Sequence, residues 1–261
     1  MTVPSSELAN TKACYLEFNT PNRQTHFIES AFYLRDDGTL SAQSKGNFAS
    51  PYASLRFEHY ADYSDTPLKP KYTPPKLTAS PKKHPVIGTI WGMRFKHLPP
   101  KTIQHPSYRM QEQIAAVLQQ HTLARLSIEG IHQTLIEICD LLISPVPDNS
   151  LPQYADDQPD KRSERTARRH FKAHMGLSPK PFAGLNRFHE ALSDITRTNT
   201  SLTDIAYDHK FADQAHLSRD FREKTGHTPA QFRQTWRKTE TVRFLQDYKS
   251  HPALRLGIVA T

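Results

Sequence analysis

The sequence predicts an α+β chain: a β-rich N-terminal region carrying two helices, then an all-α region of two helix-turn-helix units joined by a linker helix. Three observations predict this. Aromatic and β-branched runs recur through residues 14–105, helical spacing takes over from 107, and one segment repeats at an offset of 50 residues. The first copy, Ser163 to Phe182, reads SERTARRHFKAHMGLSPKPF; the second, Asp213 to Phe232, reads DQAHLSRDFREKTGHTPAQF. Arg169 aligns with Arg219, Phe171 with Phe221, Gly176 with Gly226, Pro179 with Pro229 and Phe182 with Phe232.

Charge follows the same division. Residues 161–238 hold 16 of the 34 basic and 8 of the 26 acidic residues, which leaves 18 of each sign elsewhere. The whole net charge of +8 therefore sits on the repeat region, as expected of a surface for a polyanion. Cys14 and Cys139 are too few for a disulfide framework or a zinc cluster. No basic flank and apolar core marks a signal peptide at the N-terminus, and no apolar run reaches the length of a membrane span. The expectation is a reduced, cytoplasmic protein without a membrane partner.

In the N-terminal region, THFIESAFYL (25–34), YASLRFEHY (52–60) and PVIGTIWGMRF (85–95) read as strands. The stretch Pro67 to Pro85 contains Pro70, Pro74, Pro75 and Pro81, so it reads as a loop or crossover and not as a central strand. A plain antiparallel β-domain and a small barrel with a ligand pocket both fit. Met110, Ile114, Val117 and Leu118 then recur at helical spacing, as do Ile128, Ile131, Leu135, Ile138 and Leu142, with Ser127 as cap of the second helix. These faces either cover the β-region or pair with a second copy of the chain. Pro145, Pro147, Pro152 and Pro159 mark a linker. The predicted division is 1–143 with helices at 107–143, 150–238, and a tail at 239–261.

The second repeat unit is the more complete. Ser201 caps SLTDIAYDHK, with Asp204 three residues on and Leu202, Ile205 and Ala206 as its apolar stripe. After a short turn Asp213 caps the next helix, whose Leu217 and Phe221 share a core face. Gln214, Ala215, His216 and Arg219 fall largely on other faces and can meet a groove. In the first unit Ser163 is the cap, Ala167 and Phe171 face inward, and Arg165, Arg168 and Arg169 are offered outward. Arginine binds guanine O6 and N7 bidentately and also grips phosphates. Upstream, Tyr154 and Ala155 take the place of Ile205 and Ala206, but Asp156, Asp157 and Pro159 spoil the stripe. Residues 180–198 read as one connecting helix, with Leu185, Phe188, Leu192 and Ile195 on a shared face. Lys210, Lys224, Arg233 and Arg237 read as backbone-facing or solvated cations.

The two repeat copies, RFHEALSDI between them and SLTDIAYDHKF ahead of the second resemble the DNA-binding domain of AraC/XylS-type transcriptional regulators over about 150–236. HPVIGTIWGMRFKHLPP (84–100) is similar to the cupin-like sensor regions that precede this domain in one branch of the family. The resemblance implies two helix-turn-helix units, contacts to double-stranded DNA from Arg165, Arg168, Arg169, Gln214, Ala215, His216 and Arg219, and a β-rich sensor or dimerisation region. RNA polymerase, a small-molecule effector and a second copy of the chain are the further partners it brings into view. Lys210 stands where the family has glycine before the phenylalanine of the second turn, and only 19 residues with four prolines run from Ser144 to Arg162.

His170 and His174 are spaced i, i+4, but no carboxylate or cysteine pattern completes a metal site. Phe171, Phe182, Phe221, Phe232 and Trp236 could stack single-stranded bases; their spacing beside Leu and Ile fits core packing better. There is no GxSxG, Walker-type loop or HExxH, so neither catalysis nor a cofactor is expected. A non-specific architectural nucleic-acid-binding protein stays open. So does a DNA-alkylation repair regulator, although Cys14 alone cannot supply its zinc-cysteine centre.

Overall fold

The computed structural model describes residues 13–21, 26–38, 46–47, 49–60, 69–81, 87–122, 127–146, 163–238, 242–244 and 254–260. Its strands are β1 (Ala13–Phe18), β2 (Ile28–Asp37), β3 (Gly46–Asn47), β4 (Ala53–Tyr60), β5 (Lys69–Thr73), β6 (Ser80–Pro81), β7 (Ile87–Phe95), β8 (Val242–Phe244) and β9 (Leu254–Ala260). The main sheet has the order β5-β4-β7-β2-β1-β9-β8, and β3 pairs with β6 in a small second sheet. The described ladders are antiparallel, with Leu16 opposite Tyr33, Tyr33 opposite Trp91 and Leu55 opposite Met93. The three strands expected from the aromatic runs are β2, β4 and β7. The α+β class holds.

Two expectations are corrected. The proline-rich stretch contains β5, which tolerates Pro70 because β5 is an edge of the sheet and needs no ladder donor on its outer side. The segment at 239–261 is not a simple tail: β9 pairs with β1 along Ala13 to Phe18, and β8 pairs with β9. The chain therefore leaves the sheet after β7, builds its helices and returns to the sheet at its C-terminal end. The linker, including Tyr154 and Ala155, lies outside the described residues.

One face of the sheet carries Leu16, Phe18, Tyr33, Leu55, Phe57, Trp91, Met93 and Phe95, the alternate residues of their strands. After the single turn α1 (Lys101–Gln104), helices α2 (Tyr108–Thr122) and α3 (Ile128–Ile143) cover this face. Ile114, Leu118, Ile131, Leu135, Ile138 and Leu142 are buried against it. The amphipathic faces thus pack on the sheet. Ser127 caps α3 as expected, its Oγ accepting the Gly130 N–H at 3.0 Å. Cys14 and Cys139 lie in this core, where burial pushes the Cys14 thiol up to about 11 and raises Cys139 further.

The opposite face is partly polar. Arg94 donates to Glu17 at 2.8 Å, to Tyr15 Oη at 2.9 Å and to Ser30 Oγ at 3.3 Å, and its guanidinium lies 4.7 Å from the centre of the Phe32 ring. Burial opposes the charge on Arg94, but Glu17 and Tyr15 outweigh it and raise its pKa. Gly92 makes this arrangement possible, because a Cβ there would sit 2.4 Å from the Phe32 ring. Beside it, Ala13 belongs to the core of the helical region, with Tyr15 and Leu34 packed against the same cluster. The helices dock on this side.

The helical region comprises α4 (Glu164–Met175), α5 (Pro179–Arg197), α6 (Leu202–Asp208), α7 (Gln214–Thr225) and α8 (Pro229–Lys238). Phe188, Ile195, Ile205, Leu217, Phe221 and Phe232 form its core, with Phe221 5.4 Å from both Phe188 and Phe232 between ring centres. Those two rings approach Phe221 tilted or edge-on, the favourable geometry for aromatic pairs. Replacing Glu17 by alanine removes the partner of a largely desolvated guanidinium. The expected cost is about 1–3 kcal/mol, read as a lower urea midpoint with an unchanged slope.

Candidate nucleic-acid interface

The second unit is built as its residues require. Ser201 Oγ accepts the Asp204 N–H at 3.0 Å and donates to the Asp204 carboxylate at 2.6 Å, so the start of α6 is tied locally. Ile205 and Ala206 are buried, and Asp213 caps α7 by accepting the His216 N–H. The turn between the helices places Lys210 at φ 56°. That left-handed conformation is held from two sides. Phe211 N–H donates to the Ala206 carbonyl at 2.8 Å, and Arg187 of α5 donates to the Lys210 carbonyl at 3.3 Å while stacking 4.5 Å over Phe211.

Along α7, Leu217 and Phe221 are buried, whereas Gln214, Ala215 and Arg219 are exposed and His216 is half-buried. Gln214 Oε1 accepts from Thr203 at 2.9 Å, which fixes the amide and leaves its NH2 group to donate. His216 Nδ1 accepts the Ala212 N–H at 3.2 Å, so the ring in this contact carries its proton on Nε2. Both side chains are held and both present donors, the complement of purine N7 and O6 acceptors. Arg219 makes no ion pair among the described residues.

The first unit differs. Ser163 caps α4, and Arg165, Arg168 and Arg169 are all exposed. Arg168 is paired with Glu164 one turn earlier. No residue of α4 is buried: the half-buried Phe171 meets Phe182 edge-on at 5.4 Å, and Phe182 in turn meets Tyr52 of the sheet region at 6.2 Å. Both reading helices end alike, at Gly176 with φ 78° and Gly226 with φ 80°, where a side chain would be strained. Between them α5 spans 19 residues, about 28 Å at 1.5 Å per residue, with Leu185, Phe188, Ala191 and Ile195 buried.

Three of the cations read as backbone-facing or solvated can be placed. Lys210 is exposed. Lys224 is 8% exposed, paired with Asp220 and near the Phe188 ring, because the last turn of α7 packs inward. Arg233 donates to the Ile195 and Thr200 carbonyls at 3.2 and 2.8 Å, so it closes the C-terminal end of α5. The side chains of Trp236 and Arg237 lie outside the described residues. The His170 and His174 rings are 5.9 Å apart, and no cluster of three or more possible metal ligands occurs among the described residues.

This geometry defines a protein with one helix-turn-helix, α6–α7, and a second capped basic helix, α4, on one helical body among the described residues. A family described as a helix-turn-helix domain matches residues 161–235. Over 72 residues the chain is 38% identical to the HTH-type transcriptional activator RhaS of Enterobacter sp. (strain 638). That stretch is 28% of this chain and 26% of the relative, so the chain spans about a quarter of the curated protein it matches. Among solved structures the chain is similar to an apo ToxT variant of Vibrio cholerae, with a TM-score of 0.37, 8% identity and coverage of 86% of this chain and 97% of that one. It is similar to fatty acid-bound ToxT at the same TM-score and identity, over 85% and 94% of the two chains. The family and sequence matches identify residues 161–235 as a helix-turn-helix domain of the AraC type.

The left-handed Lys210 gives a stability prediction. Lys210→Gly removes a steric cost of about 1–2 kcal/mol and adds back a smaller unfolded-state entropy. The variant should be about 0.5–1 kcal/mol more stable by urea denaturation; a loss of stability would show that the lysine side chain itself supports the turn.

Proposed function

We propose that this protein is a sequence-specific double-stranded DNA-binding regulator whose second unit, residues 201–225, carries most of the base recognition. The observation behind this reading is the α7 surface. Gln214 and His216 are held as oriented donors next to an exposed Arg219 that makes no ion pair among the described residues, at the N-terminal half of a helix whose other face is buried. Arg165, Arg168 and Arg169 on α4 fill the corresponding role in the first unit, with phosphate contacts prominent. Phosphate contacts supply affinity and register, and base contacts supply choice.

In the same reading, residues 1–143 are a sensor and dimerisation region, the effector is a small molecule, and RNA polymerase and a second copy of the chain are partners. The repair alternative is disfavoured chemically. Both thiols are buried and held protonated well above neutral pH, the opposite of the thiolate that zinc binding or methyl transfer requires.

Selection from a random duplex pool supplies the site. On that site Arg219→Ala should weaken binding by about 1–3 kcal/mol, roughly 5- to 150-fold, and relax preference at one position. Equal losses on specific and random duplexes would make Arg219 a phosphate contact. If the parent protein shows no preference, with affinity set by salt alone, the architectural reading replaces this one.

A further inference from the structure

The C-terminal ends of both reading helices are held by the sheet region at the same point of the repeat. Leu98 N–H, just beyond β7, donates to the His174 carbonyl of α4 at 2.7 Å. Ala49 N–H donates to the Lys224 carbonyl of α7 at 3.1 Å, and Ala79 N–H to the neighbouring Glu223 carbonyl at 3.2 Å. His174 and Lys224 are separated by the repeat offset and are each the penultimate residue of their helix. The last carbonyls of a helix lack intrahelical partners. Here backbone donors from the sheet region satisfy them, where water otherwise would.

Side chains reinforce these bonds, most of all at the first unit. A Cβ at Gly176 would lie 3.1 Å from Leu98 and 3.3 Å from Pro75, so the end of α4 is in close contact with both. His97 Nδ1 lies 3.2 Å from Met175 Sδ, and Tyr52 abuts Phe182. At α5, His189 Nε2 is 3.0 Å from the Ala49 carbonyl. Since α4 buries none of its own residues, these contacts substitute for a core. The helical body is also joined to the sheet at its C-terminal end, because β8 and β9 follow α8.

We infer that the sheet region is the frame that sets the separation and orientation of the two reading helices. Tyr52, Pro75 and Leu98 are then positioning residues that determine which spacing between two half-sites is accepted. The inference rests on the DNA-reading function proposed above. Each helix is held at its C-terminal end, so the N-terminal halves, about 9–18 Å away along 12 residues, stay free for DNA. One added base pair rotates a half-site by about 35°, so a rigid pair of helices discriminates between spacings and a loose pair does not.

The test uses the full chain and duplexes in which the two selected half-sites are separated by spacers changed one base pair at a time. The parent protein should prefer one spacer by about tenfold or more over those two base pairs away. Tyr52→Ala combined with Leu98→Ala should flatten that profile to within about threefold, while binding to the second unit's half-site alone stays unchanged. Urea denaturation checks that the variant is folded. Should it unfold, Pro75→Ala carries the same prediction at smaller amplitude. A folded variant that keeps the parental spacer profile overturns the inference, as does a parent protein indifferent to spacing. Recovery of no preferred sequence by the parent would sink the DNA-reading function itself, and this inference with it.

Discussion

Strand β1 belongs to two cores at once. Cys14, Leu16 and Phe18 point into the core under α2 and α3, and Ala13 and Tyr15 point the other way, toward Phe188 and Ile195 of the helical body. Its two edges are occupied by β2 and by the returning β9. Strand geometry makes this possible, since successive side chains leave on opposite faces and a single strand can be apolar on both. The consequence is mechanical. Displacing the helices from the sheet uncovers one face of β1, and peeling β9 away removes a ladder from the same strand. The stability of the helical body and its placement therefore cannot vary independently.

The half-buried charge beside this contact has the same character. Arg94 lies on the face against which the helices dock, bonded to Tyr15 of that contact. Its ties to Glu17, Tyr15, Ser30 and the Phe32 ring satisfy it within the sheet. A polar cluster at such a place adds little net stability against an apolar equivalent. It does constrain register, because Arg94 on β7 must meet Glu17 on β1 across the intervening β2, where Gly92 leaves room for Phe32.

Much of this was legible in the sequence where local chemistry decides structure. The caps at Ser127, Ser201 and Asp213, the glycines ending both reading helices and the 3.6-residue stripes follow from rules that act within a few residues. The left-handed Lys210 was legible as a departure; its support by Arg187 was not, since that contact spans 23 residues. LRLGIVA at 254–260 carried the composition of a strand, but its pairing with β1 joins opposite ends of the chain, and no local pattern encodes a partner so distant. The same reason hid Lys224. As a cation in the last turn of a helix it reads as backbone-facing or solvated, and its burial beside the Phe188 ring of α5 comes from tertiary packing.

The inequality of the two repeat units is best understood through that packing. Duplication supplies two similar helices, but a helix needs a core on one face before the other can read anything. The second unit has one: Ile205, Phe211, Leu217, Phe221 and Phe232 converge with Phe188 of α5. In the first, Phe171 stays half-buried, and its aromatic neighbour Phe182 is completed by Tyr52 from outside the helical body. A reading helix that borrows its support from another region inherits the position of that region. Anything that shifts the β4 entrance around Tyr52 or the segment after β7 around Leu98 acts first on α4, which has no core of its own, and less on the second unit, whose α7 is tied to Ala49 and Ala79 but packed on its own core. Such an arrangement separates recognition of one half-site from the geometry linking two, and it puts the second property under the control of the sheet.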